Sequence, residues 1–209
     1  MDSETINNIN GNRSTDNRLG WKLRDIIMIA MLCIVFGVIY LGGVYIAAFL
    51  TTALTPLGLA PFGNEIIFGV WFMAATLAGY ILQKPGAAIL AEVLAALIEV
   101  LMGNMYGPIV IVAGIIQGAG AEGVFALYRY QKYNRKTMIL AAAGCCVTSF
   151  VWSFIRSGYG LLAPGLLVVM FIVRLISSVV FAGFICTGMG DGLAQTGLLK
   201  SYALGKRRV

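Results

Sequence analysis

Residues 64–102 read NEIIFGVWFMAATLAGYILQKPGAAILAEVLAALIEVLM, and this stretch decides the fold. It holds two apolar runs, Asn64–Leu82 and Gly86–Met102, separated only by Gln83, Lys84 and Pro85. The runs are about 17–19 residues long, and a helix needs about 20 residues to cross a bilayer. Two such runs joined by a short turn predict a helical membrane hairpin. Outward from it the pattern repeats over Asp25–Ala48, Pro108–Tyr128, Thr137–Phe154 and Pro164–Met189. Six helices are therefore predicted, because a helix satisfies its own backbone hydrogen bonds in lipid. A membrane β-barrel would instead show short alternating segments. With 209 residues, 59% of them hydrophobic, and a mean hydropathy of +0.88, the chain lacks the polar surface of an ordinary soluble domain.

The connections carry positive charge alternately. Arg13, Arg18, Lys22 and Arg24 precede the first helix, and Lys84 sits in the second loop. Arg129, Lys132, Arg135 and Lys136 fill the fourth loop, and Lys200, Lys206, Arg207 and Arg208 fill the tail. The first, third and fifth loops hold little beyond Arg156. The positive-inside rule then places both termini in the cytoplasm. The net charge of +6 is spread over these inner ends, which suits anionic lipid headgroups in the bilayer and gives no reason to invoke nucleic acid.

The expected organisation is a disordered cytoplasmic arm over residues 1–24, a six-helix transmembrane domain over 25–195 and a basic cytoplasmic tail over 196–209. The polar, Asn-rich start lacks the apolar core of a signal peptide, so the first helix is expected to remain in the mature protein. The first outward loop, TTALTPLGLAPFGN (51–64), is long and holds two prolines and two glycines, the composition of a binding loop or lid. Asn64 is expected to cap the second helix. Cys33, Cys145, Cys146 and Cys186 all fall within predicted helices and read as free thiols that pack as small apolar groups. Small residues recur at four-residue spacing (Ala87, Ala91, Ala95; Gly114, Gly118; Ser178, Ala182, Cys186), as close helix packing in lipid requires.

The informative residues are ionisable groups inside the apolar runs, since such groups normally face the bundle interior. Glu92, Glu122 and Arg174 lie toward the middle and inner half. Their simplest reading is a structural bridge, with the arginine between two carboxylates. Glu65, Glu99 and Arg156 lie toward the outer end, with Trp71, Asn104, Tyr106, Trp152 and Tyr159 around them. Gln117 is a further polar companion. Glu92 and Glu99 share a helix face, about 10 Å apart along the axis. Trp152 and Arg156 share another. Surplus carboxylate beside aromatic faces suits a planar, cationic ligand, which it would hold by charge-assisted hydrogen bonds and ring stacking.

Other chemistry is excluded. No Walker motif exists, because the sole Gly-Lys pair, Gly205-Lys206, is followed by Arg207. The chain has no histidine, so no His-based nucleophile pair and no His-ligated metal can form. Neither catalysis nor a cofactor is expected.

The strings GNEIIFGVWFMAATLAGYILQKPGAAILAEVLAALIEVLMGN (63–104) and GPIVIVAGIIQGAGAEGVFALYRY (107–130) resemble the YkoE family. RSGY (156–159), APG (163–165), VRLISS (173–178) and LAQTGLLKSYALGK (193–206) extend the resemblance. Members are substrate-binding S components of energy-coupling factor (ECF) vitamin transporters. The resemblance implies a six-helix S-component fold and capture of thiamine or its hydroxymethylpyrimidine moiety from outside. It also implies a transmembrane coupling subunit and two ATPase subunits as partners. S components commonly dock through a small-residue face on the first helix; here Ala30 is followed by Ile34, while Gly43 and Ala47 keep the spacing. Within this reading Glu99 and Asn104 are expected at the pyrimidine amino edge. Trp71, Trp152 and Tyr159 would be stacking faces, and Glu65 the counter-charge to the thiazolium. The competing expectation is a membrane scaffold with no small-molecule ligand.

Overall fold

In lipid a long apolar run folds as helix, because a helix satisfies its backbone hydrogen bonds within one segment. The computed structural model describes residues 20–206. Its helices are α1 (Leu23–Leu54), α2 (Phe62–Glu65), α3 (Met73–Leu82), α4 (Ala87–Leu101), α5 (Ile109–Leu127), α6 (Arg135–Arg156), α7 (Pro164–Ser178), α8 (Cys186–Gln195) and α9 (Ala203–Lys206). No strand occurs among the described residues. Four segments are long and apolar enough to cross a membrane: Leu23–Leu57, Ile109–Leu127, Arg135–Arg156 and Pro164–Gln195. Phe68–Leu82 is apolar but shorter. The outer faces carry large exposed apolar side chains such as Ile27, Ile34, Val38, Leu127, Ile155 and Val168, as lipid contact demands. Arg13, Arg18, Arg207 and Arg208, and most of the predicted N-terminal arm, lie outside the described residues.

The first helix begins where the Lys22 N–H donates to Asp25 Oδ2 at 2.8 Å, which places a carboxylate in the first turn. It continues six residues beyond the expected end. The Thr52 hydroxyl donates to the Ala48 carbonyl and the Thr55 hydroxyl to that of Thr51. Gly58, in a left-handed conformation at φ +69°, then turns the chain. The return segment lies against the helix it left: a Cβ on Gly63 would stand 2.4 Å from the Thr51 nitrogen.

The predicted second helix is not continuous. A 3-10 turn, Phe68–Phe72, stands between α2 and α3. Its cause is tertiary. Gly69 presses on α7, where an added Cβ would meet the Ser177 carbonyl oxygen at 2.3 Å, and the Gly69 N–H donates to Ser177 Oγ at 3.0 Å. Opposite this turn the last long helix opens into a π-helical segment, Val179–Ile185, between α7 and α8. Asn64 is accordingly no cap; it lies within α2.

The small-residue stripes pack internally. Ala87, Ala91, Ala95, Ala182 and Cys186 are fully buried, and α5 and α6 touch where Gly120 and Gly144 each press on the other's carbonyl. All four cysteines are free and buried. Gly43 and Ala47 are buried too, with Gly43 facing Trp71, so that pair is no docking face.

Contacts gather the basic segments at one end. Lys84 Nζ donates to Asp25 Oδ2 at 2.5 Å and to the Gly20 carbonyl. The Tyr202 hydroxyl donates to the Arg24 carbonyl. Glu122 accepts from Tyr130 and from the backbone N–H groups of Gly86 and Ala88. Glu122 thus caps the start of α4. The opposite end opens into a cavity.

Candidate ligand-binding site

The cavity encloses about 240 Å³ behind an open mouth. That suits one small organic ligand, at the lower edge of the usual range of such sites, about 300 Å³ upward. Its mouth lies at Asn64, Tyr106, Arg156 and Ser157, of which Tyr106, Arg156 and Ser157 are exposed. Its floor is Tyr40 and Glu92, both buried. Phe68 and Trp71 form one wall from the 3-10 turn, their rings meeting edge-on at 5.6 Å between centroids. Ala96, Ala113 and Gln117 contribute from α4 and α5.

Two carboxylates face this space from α4. Glu99 Oε1 accepts from Asn104 Nδ2 at 2.5 Å, and Asn104 Oδ1 accepts the Tyr106 N–H at 2.6 Å. The short Gly103-Asn104 step after α4 folds back on that helix, which fixes both side chains. Glu99 Oε2 makes no hydrogen bond of good geometry among the described residues; Trp71 is its polar neighbour. Deeper, Glu92 Oε2 accepts from the Tyr40 hydroxyl at 3.0 Å and the Ala75 N–H at 2.8 Å. Tyr40 in turn accepts from the Ala74 N–H. The start of α3, which has no side-chain cap of its own, is thereby closed by groups from α1 and α4. Glu92 Oε1 has no partner among the described residues. At the mouth the Arg156 guanidinium lies 5.4 Å from the Tyr106 ring centroid, within cation–π range.

The structure therefore brings Trp71, Glu99, Asn104, Tyr106, Gln117 and Arg156 together around one cavity. It sets Glu65, Trp152 and Tyr159 outside the cavity walls. Glu65 is consumed by Arg174, whose Nε and Nη2 donate to its two oxygens at 2.6 Å each. Tyr159 donates to Glu65 Oε1, and burial raises the phenol's pKa above its usual value. Arg174 Nη1 is held by Ser153 and Ser149. The expected Glu92–Arg174–Glu122 bridge is thus corrected: the arginine pairs with Glu65, while the other two carboxylates accept backbone N–H groups. Glu65 does not supply a counter-charge in the cavity, because its oxygens are already shared between a guanidinium and a phenol. Glu92, expected to be structural, lines the floor. Trp152 lies on α6 with its indole N–H unpartnered among the described residues.

The sequence alone did not place Tyr40 or Phe68 at the site, and it pointed to Asn64 only as a helix cap. Only Tyr40 carried a usable signal: it is a phenol within a long aliphatic helix, and a buried phenol needs a hydrogen-bond partner.

A family model described as "ABC-type cobalt transport system, permease component" matches residues 24–148. The Bacillus subtilis (strain 168) protein named "Putative HMP/thiamine permease protein YkoE" is 41% identical over 186 residues, spanning 89% of this chain and 91% of that one. A solved structure described as "Crystal structure of an S-component of ECF transporter" superposes with a TM-score of 0.85. It shares 40% identity and covers 90% of this chain and 93% of its own. The chain belongs to the YkoE family of ECF-transporter S components. It is a membrane-embedded substrate-binding subunit of an ECF transporter and not an enzyme. The cobalt of the family model's description finds no matching donor set among the described residues. The chain lacks histidine, and no group of three or more Cys, Asp or Glu that could hold a metal forms among the described residues.

Proposed function

We propose that this S component captures thiamine, or its hydroxymethylpyrimidine moiety, and delivers it for ATP-driven uptake with a transmembrane coupling subunit and two ATPase subunits. The observation that carries the reading is the Glu99–Asn104 pair. A carboxylate oriented by an amide, in a cavity also lined by Trp71 and Tyr106, suits the amino edge of a pyrimidine stacked on aromatic faces. The printed name of the B. subtilis relative supports the same ligand class.

In this reading the chain spans the bilayer six times, with α2 through α3 as the second span and α4 as the third. Both termini face the cytoplasm, as the gathering of Lys84, Asp25, Tyr202 and Tyr130 at the end opposite the cavity supports. Residues 1–24 form a cytoplasmic arm and 196–209 a basic cytoplasmic tail. The cavity mouth then faces outside, and the segment 55–64 stands beside it as the lid. A scaffold without a ligand has no use for buried carboxylate oxygens left without a hydrogen-bond partner, which cost stability.

Calorimetric titration of the purified chain in detergent tests the proposal. Thiamine or hydroxymethylpyrimidine binds saturably, and Glu99→Gln weakens that binding about tenfold or more, the scale of a hydrogen bond to a charged group. No heat with either compound, in protein that unfolds cooperatively, would reject it.

A further inference from the structure

Arg174 does not line the cavity, yet it reaches behind two sides of its wall. One side is the stretch from α2 to the 3-10 turn, where Asn64, Phe68 and Trp71 line the cavity. The other is the end of α6, where Arg156 and Ser157 line it. The guanidinium touches both. Its Nε and Nη2 hold Glu65, the neighbour of Asn64, at 2.6 Å each, and its carbon lies 3.7 Å from the Phe68 ring centroid. Its Nη1 donates to Ser153 at 3.0 Å and to Ser149 at 3.3 Å. Those serines stand about one and two turns before Arg156 on α6. The base of the side chain is fixed as well. Ser178 Oγ donates to the Arg174 carbonyl at 2.7 Å, and Ser177 accepts the Gly69 N–H at 3.0 Å.

Packing alone would not call for this residue. Arg174 is fully buried, and an apolar side chain of similar volume often stabilises such a site as well as a buried ion pair does. What the planar fork adds is direction, because its donors hold several acceptors in one fixed geometry. We infer that Arg174 is a positioning residue for the ligand. It sets the gap between the aromatic wall of Phe68 and Trp71 and the Arg156 end of α6, and so the width of ligand that the cavity accepts. This inference rests on the proposed small aromatic ligand and adds a residue outside the cavity that governs its fit.

The test separates fit from stability. The double variant Glu65→Gln with Arg174→Met removes the fork and leaves no buried charge unpaired. The control is Leu204→Ala, which truncates a buried side chain in the tail segment that packs on α3 and α8, away from the cavity. Each purified full chain is titrated calorimetrically with thiamine and with hydroxymethylpyrimidine, and its unfolding midpoint in denaturant is measured. The double variant should bind about tenfold more weakly than wild type, roughly the worth of one ring contact. Leu204→Ala should lose at least as much stability and bind within about threefold of wild type. A double variant within about threefold of wild type overturns the inference, and so does a control that loses as much affinity.

A second readout needs no ligand. With Trp21→Phe and Trp152→Phe, Trp71 is the sole indole of the chain and reports the wall itself. Its quenching by acrylamide should rise in the double variant and not in Leu204→Ala, and equal quenching in wild type, double variant and control overturns the inference. If wild type binds neither compound, the proposed function fails and the Trp71 readout alone decides the positioning role. Should the double variant fail to fold, Arg174→Lys replaces it in both measurements with the same expected and overturning results, since it keeps the charge beside Glu65 but lacks the fork.

Discussion

Removing Arg174 alone should cost far more than removing it together with Glu65. Both side chains are fully buried. The guanidinium makes two hydrogen bonds of 2.6 Å to Glu65, reaches Ser153 at 3.0 Å, and lies 3.7 Å from the Phe68 ring centroid. Arg174→Met deletes all of these and leaves Glu65 buried with only Tyr159 as a donor. Losing one partner of a buried pair typically costs about 3–5 kcal/mol, whereas replacing both by neutral groups of similar volume is often close to neutral. The double variant Glu65→Gln with Arg174→Met retains the Tyr159 contact and should recover to within about 1–2 kcal/mol of wild type. Unfolding in detergent, followed by circular dichroism against denaturant, gives the three single- and double-variant values for a mutant cycle. A single-variant loss below about 1 kcal/mol, or a double variant as damaged as the sum of the singles, would refute the buried-pair reasoning.

Two further outcomes follow from packing and capping. Gly144→Ala should destabilise the chain by about 1–3 kcal/mol, because its Cβ would stand 2.5 Å from the Gly120 carbonyl oxygen and force α5 and α6 apart; an unchanged unfolding midpoint would contradict that contact. Glu122→Ala should strip α4 of its cap and Tyr130 of its acceptor. In the wild type, burial and then Glu122 push the Tyr130 phenol up to about 12, from 10.0. A raised phenol pKa adds stability that is whole below pH 10 and fades as pH climbs toward 12. Tyr130→Phe should therefore flatten the alkaline decline in stability between those values, and an unaltered slope would count against the contact.

Much of the fold was legible because lipid makes helices obligatory and apolar length visible. The runs around α4, α5 and α6 match their predicted spans to within two residues. The breaks were not legible. Nothing local in Phe68–Phe72 or Val179–Ile185 forbids regular helix; the irregularity arises where Gly69 meets Ser177, 108 residues away. Pairing of buried charge failed for a related reason. Arg174 could have met any of three carboxylates, and the choice depends on helix rotation, which the apolar pattern on lipid-facing helices leaves open. Glu92 and Glu122 went elsewhere because helix starts at Ala75 and at Gly86 and Ala88 supplied N–H donors, which no side-chain pattern reveals. The cavity residues were easier: Trp71, Glu99, Asn104, Tyr106 and Arg156 are the polar and aromatic residues near one end of their helices.

The two irregular segments explain how a helix outside the cavity shapes it. A 3-10 turn is narrower than an α-helix and a π segment is wider, so the two can nest where Gly69 closes on Ser177. Tightening the chain at Phe68–Phe72 places Phe68 and Trp71 on the same wall, three residues apart, as a 3-10 helix aligns them. Arg174 then stacks on Phe68 while it pairs with Glu65, just three residues before that ring in the chain. The segment that carries the aromatic wall is thus clamped at Glu65, at Phe68 and at Gly69 by one turn of α7. An α7 residue that never reaches the cavity still fixes the distance between its aromatic wall and the carboxylates of α4. That coupling makes the last long helix a determinant of ligand fit as well as of stability.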